Sequence, residues 1–245
     1  MSRRGLLLAI AFLTRIPVPL HGTVSARDQG DAVPAWPVVG VLLGILFWLF
    51  ASVADSLGWP AWPTAVLLVM LWAGITGALH LDGLADSADA WLGGQGNRER
   101  TLEIMKDPAC GPAGVVALVL VLLGKTAAVA TLLEQSVLLP LLIAPALGRA
   151  ACTALFLRLP YARENGLGHD AAEHLPRDTT RTVLIIIALL SAWLAVWMLV
   201  AAAALFLLGE RLMRQRLDGF TGDTAGALVE IVEVAALLAA SLALI

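Results

Sequence analysis

The sequence predicts an all-α, polytopic membrane helix bundle that forms a single domain over residues 1–245. Two observations predict this class. Of the 245 residues, 59% are hydrophobic and 14% are charged, whereas a soluble domain of this size is about 25% charged. Several apolar windows also approach or exceed the roughly 18 residues that indicate a membrane helix. The formal net charge of −3 is too small to indicate a nucleic-acid partner.

The N-terminus predicts a short helix. Arg3 and Arg4 precede the apolar run GLLLAIAFL, a pattern also typical of a secretory signal. The run is followed by TRIPVP and not by a small-residue cleavage site, and Pro17 and Pro19 stop a helix there. We interpret this segment as a retained interfacial or re-entrant helix, with a cleaved signal as the alternative.

Six apolar segments follow along the chain: 36–54, 62–80, 113–133, 137–157, 182–209 and 226–245. Five of them have lengths that suit one membrane helix each. Segment 182–209 has no charge, is long for one span and short for two, and contains no glycine or proline in SAWLAVW on which to turn. It is therefore either a hairpin or one long tilted helix.

The distribution of arginine and lysine favours the hairpin, because these residues concentrate in cytoplasmic loops. The N-terminal stretch and the polar stretches 81–112, 158–181 and 210–225 are all basic, while 55–61 and 134–136 contain no arginine or lysine. If all four basic stretches are cytoplasmic, the chain crosses the membrane an even number of times between them. This predicts roughly seven spans with a cytoplasmic N-terminus.

An acidic cluster follows the second apolar segment, in HLDGLADSADA at 80–90. On a helix, Asp82, Asp86 and Asp89 share one face within about two turns. Like charges repel at this spacing, and unpaired charges near a membrane cost a few kcal/mol each. Mg²⁺ prefers such oxygen ligands and usually shares its remaining positions with substrate phosphates. The spacing therefore predicts a magnesium site, and the alternative is a solvated helix start favoured by the helix dipole.

Two further residues extend this candidate site. Asp223, in TGDTAGALVE, is either a fourth metal ligand or a cap of the last helix. His80 precedes the acidic cluster and is either a hydrogen-bonded structural group or a residue that contacts substrate or transfers a proton.

Three cations lie where charge is costly or where an anion could bind. Lys125 and Arg149 fall inside apolar segments, so they must have partners. They either pair with acids such as Glu230 or Glu233, or bind substrate phosphate, and the two interpretations are compatible. Arg163 lies in YARENGLG at 161–168, whose glycines would let backbone amides approach an anion; a plain turn is the alternative.

Six motifs, in chain order, resemble those of the cobalamin synthase family: LTRIPVP, WPVVGVLLG, HLDGLADSADA, EIMKDPACGPAG, YARENGLG and GFTGDTAGALVE. The resemblance covers about residues 13 to 234. It departs locally, since the family usually has glycine where Ala90 stands and a serine-arginine type run near Pro108–Cys110. Members of this family are membrane-bound adenosylcobinamide-GDP ribazoletransferases.

The resemblance implies a magnesium-dependent transfer in the bacterial cytoplasmic (inner) membrane, with the active site on the cytoplasmic face. A hydroxyl of α-ribazole, or of its 5′-phosphate, attacks the corrinoid-side phosphorus of adenosylcobinamide-GDP, and GMP leaves. Adenosylcobalamin, or its 5′-phosphate, is the product. Besides the two substrates, the implied partners are the lipid bilayer and either a second copy of the chain or other cobalamin-assembly enzymes.

The residues are assigned as follows under this hypothesis. The aspartates Asp82, Asp86 and Asp223 hold Mg²⁺, and Asp89 completes the set or accepts the proton of the attacking hydroxyl. The cations that neutralise phosphate charge are Lys125, Arg149 and Arg163.

Two alternatives remain at this stage. One is a CDP-alcohol phosphotransferase that makes phospholipid. The other is a transporter with an acidic cation site, although such proteins often contain inverted repeats and this sequence contains no evident one.

Overall fold

The computed structural model describes residues 2–163 and 167–244. Within these residues the chain forms eleven α-helices, a 3-10 turn at Val33–Ala35 and no β-strand, which confirms the all-α class. The helices are α1 (Arg3–Leu13), α2 (Ala26–Ala32), α3 (Trp36–Ser56), α4 (Ala61–Thr76), α5 (Leu79–Gly93), α6 (Arg98–Ile104), α7 (Pro112–Glu134), α8 (Leu139–Arg158), α9 (Leu167–Glu173), α10 (Arg177–Leu217) and α11 (Gly222–Leu242).

Five helical segments of the described chain are long and apolar enough to cross a membrane. They are α7, α8, α10, α11 and the continuous stretch from α2 through α3, Ala26–Ser56. The pair α4 and α5 would add a sixth span if it crosses as one broken element. The multi-pass membrane class is therefore confirmed, and the count of seven spans stays a prediction.

The predicted apolar segment 62–80 is divided in the structure. Helix α4 ends at Thr76, Gly77 and Ala78 adopt left-handed backbone conformations, and α5 starts at Leu79 at 89° to α4. Glycine takes this conformation without the steric cost that other residues meet. The boundary at residue 80 was therefore wrong, and His80 belongs to the same helix as the aspartates.

Helix α10 is interrupted at Ala195, whose φ of −160° and ψ of 69° are not helical. Just before α10, the backbone of His174 packs against Gly30, beside the 3-10 turn. At its other end the carbonyl of Leu217 accepts a hydrogen bond from Arg98. Residues that follow the break, including Trp197, lie instead beside Leu242 at the end of α11. The two halves of α10 therefore run in opposite directions, as the hairpin hypothesis requires.

Helix α1 confirms the predicted N-terminal helix. Ser2 caps it, and the chain leaves helical geometry at Thr14, before the two prolines. Its buried residues Gly5, Ala9 and Leu13 recur every four positions and so form one face. That face packs on the segment that contains α2, with Gly5 against the carbonyl of Asp31.

Small residues allow the central helices to approach closely. Gly40 and Gly44 of α3 lie against the backbone of α8, at Pro145 and Leu142 respectively. Close backbone approach through glycine is the usual packing mode of membrane helices, because lipid supplies no hydrophobic force between them. Helix α11 contacts α5, α7, α8 and α10 and so occupies the centre of the bundle.

Candidate active site

The acidic cluster forms the exposed side of α5. Asp82 is exposed, Asp86 and Asp89 are partly exposed, and Gly83, Leu84 and Ala85 between them are buried. The prediction that these aspartates lie on one helix is confirmed. One face of α5 therefore packs into the bundle while the other presents carboxylates at its surface.

A close helix crossing brings Asp223 to this cluster. A side-chain carbon on Gly83 would lie 2.7 Å from the carbonyl oxygen of Asp223, so only glycine allows the observed contact. One turn further along α11, Gly226 packs against the Cα atom of His80, which a side-chain carbon would approach to 3.3 Å. The two glycines let α5 lie directly on the N-terminal turn of α11.

Asp223 does not cap α11, because Thr221 does. The Thr221 hydroxyl accepts the amide of Thr224, and the Thr224 hydroxyl accepts the amide of Thr221, which forms a reciprocal capping box. The side chain of Asp223 is therefore available for other contacts. The cap interpretation of Asp223 is therefore wrong, and its role as a metal ligand stays a prediction.

Arg163 meets Asp223 across the site. Its Nη2 atom donates to Asp223 Oδ2 at 2.6 Å, and about a quarter of each side chain is exposed. Two loops hold this pair: the amide of Ala162 donates to the carbonyl of Phe220, and the amide of Phe220 donates to that of Pro160. The predicted Arg163 and Asp223 therefore lie together, while residues 164–166 of YARENGLG fall outside the described residues.

Asp89 has a separate role in the structure. Its Oδ2 accepts the amide of Gly111 at 2.7 Å, and its Oδ1 accepts the amide of Gly114 at 2.9 Å. These amides belong to the N-terminus of α7, where free N–H groups and the helix dipole favour a carboxylate. Asp89 thereby fixes the start of α7 against α5. No comparable hydrogen bond to Asp82 or Asp86 is found in the described part of the chain.

The carboxylates form an open set and not a closed metal cage. Within residues 2–163 and 167–244, no group of three or more histidine, cysteine, aspartate or glutamate side chains is close enough to enclose a metal ion. The donors of α5 and Asp223 are nevertheless all carboxylate oxygens. Mg²⁺ usually takes one or two carboxylates and leaves its other positions to water and phosphate. The donor set therefore fits magnesium with substrate as a further ligand.

Lys125 and Arg149 do not reach the candidate site. Lys125 Nζ donates to Glu230 and to Glu233 at 2.7 Å each and lies 4.5 Å from the centre of the Trp72 ring, and Arg149 pairs with Glu233. Lys125 is 2% exposed and Arg149 is 1% exposed. The pairing with Glu230 and Glu233 that the sequence suggested is confirmed. The contact of these two buried cations with substrate phosphate stays a prediction.

His80 lies between this buried network and the surface aspartates. It is buried, and its Nδ1 atom has no hydrogen-bond partner in the described part of the chain. His80 lines a cavity, described next, together with Asp82 and Asp223. The structure therefore brings it close to the aspartates but assigns it no contact.

A cavity of about 630 Å³ lies beside the aspartates and was not predicted. Five aromatic residues form one of its walls, which we call the aromatic wall: Phe12, Trp36, Phe156, Phe220 and Tyr161. Each ring contacts the next, with centroid distances of 5.8, 5.3, 4.8 and 5.3 Å along that order. In the sequence these residues resembled ordinary core or lipid-facing aromatics, so no local signal indicated the wall.

Tyr161 ends the wall at the polar side of the cavity. Its hydroxyl lies next to Gly222, and its ring packs so closely on Gly168 that any side chain there would clash. Burial raises the pKa of the Tyr161 hydroxyl, although the nearby Arg163 opposes this. The hydroxyl therefore stays protonated at neutral pH and can donate a hydrogen bond into the site.

A multi-pass helical bundle with carboxylates, an arginine and a cavity at one end is an arrangement suited to a membrane enzyme that acts on phosphorylated substrates. Sequence comparison identifies the particular family. The chain belongs to the cobalamin-5-phosphate synthase family, whose model matches residues 5–241.

Relatives named adenosylcobinamide-GDP ribazoletransferase match nearly the whole chain. The protein from Pseudomonas putida (strain W619) is 50% identical over 240 residues, which cover 96% of this chain and 98% of its own. The one from Stutzerimonas stutzeri (strain A1501) is 49% identical over 240 residues, 97% of each chain. The protein from Pseudomonas entomophila (strain L48) is 49% identical over 239 residues, 96% of this chain and 97% of its own. No solved structure matches this chain.

Proposed function

We propose that this protein is an adenosylcobinamide-GDP ribazoletransferase. It would join adenosylcobinamide-GDP and α-ribazole, or the 5′-phosphate of α-ribazole, into adenosylcobalamin or its 5′-phosphate, with release of GMP. The observation that carries the proposal is that Asp82 lines the same cavity as the Asp223–Arg163 pair. The name shared by relatives about half identical over nearly the full length supports it.

Asp82 and Asp223, which both line the cavity, are the two carboxylates that would hold Mg²⁺. When bound, the ion supplies positive charge that binds the pyrophosphate and stabilises charge that moves during transfer. Arg163 provides a planar, permanently charged guanidinium for a phosphate oxygen. Because Asp223 already holds the Arg163 side chain, the cation is oriented before substrate arrives, and such preorganisation is a main source of catalysis.

The transfer exchanges one phosphorus–oxygen bond for another. The hydroxyl oxygen of α-ribazole forms a bond to the corrinoid-side phosphorus, and the bond from that phosphorus to the oxygen of GMP breaks. The hydroxyl proton needs an acceptor. We assign it to Asp86 in place of Asp89, because both oxygens of Asp89 already accept backbone amides from α7. Asp89 then acts by fixing α5 against α7.

We further propose that the site faces the cytoplasm. Basic residues gather at the site end of the bundle, including Arg98, Arg158 and Arg214, as the preference of arginine for cytoplasmic loops would give. At the opposite end, Ser136 in the connection between α7 and α8 donates a hydrogen bond to Asp55 in the last turn of α3. Four of the five exposed tryptophans lie near that end: Trp59 in the connection at 57–60, Trp62 at the start of α4, and Trp193 and Trp197 around Ala195. The fifth, Trp48, lies within α3. Tryptophan is enriched at membrane interfaces.

A turnover assay tests the reaction. Purified protein in detergent is incubated with adenosylcobinamide-GDP and α-ribazole, with and without Mg²⁺, and both the cobalamin product and GMP are measured. We expect both products in equal amounts and only with the metal. If folded protein yields neither product, the assignment is wrong, and phospholipid synthesis from a CDP-alcohol donor and then cation transport become the reactions to test.

A further inference from the structure

The cavity beside the aspartates is lined by two chemically different sets of side chains. Asp82, Asp223 and Arg163 are charged, while Leu8, Leu13 and the aromatic wall are apolar. The aromatic wall extends from Phe12 of α1 to Tyr161, which precedes Arg163 by two residues. A ligand that fills the cavity must therefore combine a flat apolar part with a polar part.

We infer that this cavity binds the acceptor nucleoside, with its aromatic base on the aromatic wall and its ribose towards Asp82, Asp223 and Arg163. This inference rests on the function proposed above and assigns one substrate to one part of the site. A nucleoside places an apolar ring and a hydroxyl-bearing sugar at opposite ends, which matches the polarity of the cavity. With the base on the wall, the sugar hydroxyl lies next to the residues that hold the phosphorus it attacks.

The size of the cavity supports this assignment. A volume of about 630 Å³ lies within the range of roughly 300–1,000 Å³ that is usual for sites of small organic ligands. A corrin ring is far larger and must lie outside, where the pyrophosphate end of the cavity can still be reached. The cavity therefore suits the smaller substrate.

The chemistry of the walls distinguishes α-ribazole from the guanosine part of the other substrate. The edge of guanine carries several hydrogen-bond donors and acceptors, and burying each one without a partner is unfavourable. A benzimidazole edge carries a single acceptor nitrogen. The walls away from the aspartates are formed mainly by apolar residues such as Leu13, Ala32 and Ala171. They can bury a benzimidazole at little cost, whereas a guanine edge would be left largely unpaired.

Trp36 is the central residue of this assignment. It is 8% exposed, it contacts both Phe12 and Phe156, and its Nε1 atom has no hydrogen-bond partner in the described part of the chain. A buried donor without a partner is unfavourable. A bound heteroaromatic base with one acceptor nitrogen offers a partner of the required kind.

The test compares Trp36→Leu with Trp72→Leu in the full-length, detergent-solubilised protein. Trp72 is a matched control: it is buried, it stacks on Phe47 at 4.3 Å, and its Nε1 also lacks a partner in the described chain, but it does not line the cavity. Loss of an aromatic ring that stacks on a base weakens binding about tenfold or more. We expect this rise in the KM for α-ribazole with Trp36→Leu only, and an unchanged KM for adenosylcobinamide-GDP with both variants.

Other outcomes overturn the inference. A higher KM for adenosylcobinamide-GDP alone would place guanosine in the cavity, and unchanged KM values for both substrates would show that neither substrate uses it. If Trp36→Leu fails to fold, Phe12→Leu replaces it, because the Phe12 ring is 42% exposed and carries less of the packing.

A direct binding measurement separates this inference from the proposed reaction. Radiolabelled α-ribazole is dialysed to equilibrium against the protein without corrinoid. Binding that is retained by Trp72→Leu and weakened by Trp36→Leu supports the cavity even if turnover fails. If the wild-type protein turns over both substrates and Trp36→Leu binds α-ribazole as tightly as the wild type, the assignment of α-ribazole to the cavity is wrong. The proposed reaction would then still hold.

Discussion

Gly83 of α5 packs against the carbonyl group of Asp223 so closely that a side-chain carbon would stand 2.7 Å from the oxygen. The position of the acidic face relative to Asp223 therefore depends on the absence of a single methyl group. The contact joins two segments that are far apart in the chain. Through this contact, a single residue type at position 83 determines how closely the candidate metal ligands on α5 and α11 approach each other.

We predict that Gly83→Ala lowers kcat about tenfold or more, because a displacement of about 1 Å in a catalytic group can cost a hundredfold. Overpacking should also lower stability by about 1–3 kcal/mol. Turnover and thermal unfolding in detergent measure the two effects. Gly74→Ala is the control, since no atom lies within 4 Å of a side-chain carbon there. Equal activity in both variants would show that the crossing does not position the site.

Asp82→Asn should reduce turnover at least about a hundredfold while leaving thermal stability unchanged or slightly raised. The substitution keeps the size of the side chain, removes a metal ligand and relieves repulsion among like charges. Mg²⁺-dependent turnover and the melting temperature are the measurements. A variant that retains most of its activity would remove Asp82 from the metal site.

Asp89→Asn should behave differently, because Asp89 accepts two backbone amides at the start of α7. An amide side chain has only one acceptor oxygen, so one of these bonds is lost at a cost of about 1 kcal/mol. We expect a lower melting temperature together with partial activity. Loss of all activity at unchanged stability would instead return Asp89 to the role of metal ligand or proton acceptor.

Glu233→Gln should destabilise the protein by about 3–5 kcal/mol, because it removes the anion shared by Lys125 and Arg149. Chemical unfolding in micelles measures this change. Glu134→Gln, at an exposed position at the end of α7, should have almost no effect. If Glu233→Gln lowered turnover without lowering stability, a role for the two cations in phosphate binding would have to be reconsidered.

Arg163→Lys should raise the KM for adenosylcobinamide-GDP about tenfold, because lysine keeps the charge but loses the planar fork that binds phosphate. The KM for α-ribazole should change less. Arg181→Lys is the control, as Arg181 is 59% exposed and pairs with Asp178. An equal change in both KM values would indicate a general disturbance of the loop and not the loss of a phosphate contact.

The hairpin in α10 predicts that residues 178 and 218, both exposed, lie on the same side of the membrane. Cysteines are placed at each position, and separately at Ala195, after Cys110 and Cys152 have been replaced by serine. A membrane-impermeant thiol reagent applied to intact cells should label position 195 only. Labelling of 178 or 218, but not both, would mean that α10 crosses the membrane once.

The sequence alone was sufficient to predict most of the long helices and the aspartate face of the candidate site. Hydropathy placed α3, α7, α8 and α11 to within a few residues, and helical periodicity placed Asp82, Asp86 and Asp89 together. It did not separate α4 from α5, because the division depends on left-handed backbone at Gly77 and Ala78 inside an otherwise uninterrupted apolar pattern.

The remaining features depend on contacts between distant segments. Lys125 and Arg149 could have faced either the site or the core, and only the position of α11 decides that they meet Glu230 and Glu233. The contact of Arg163 with Asp223 requires the pairing of the 160–162 loop with Phe220. The aromatic wall collects residues from separate segments of the chain, so no local pattern could reveal it.

The buried ion pairs also have a consequence for the synthesis and membrane insertion of the protein. Lys125 is synthesised 105 residues before its partner Glu230, and Arg149 is synthesised 84 residues before Glu233. Both cations therefore enter the bilayer in helices that have no matching acid until the last helix emerges from the ribosome. We expect chains truncated before Gly222 to be degraded rapidly by membrane proteases, and pulse-chase labelling would measure their lifetime. A truncated chain as long-lived as the full one would show that the cations are neutralised by other means. Rapid degradation of the truncated chain would show that the bundle is stable only after α11 has been synthesised and inserted.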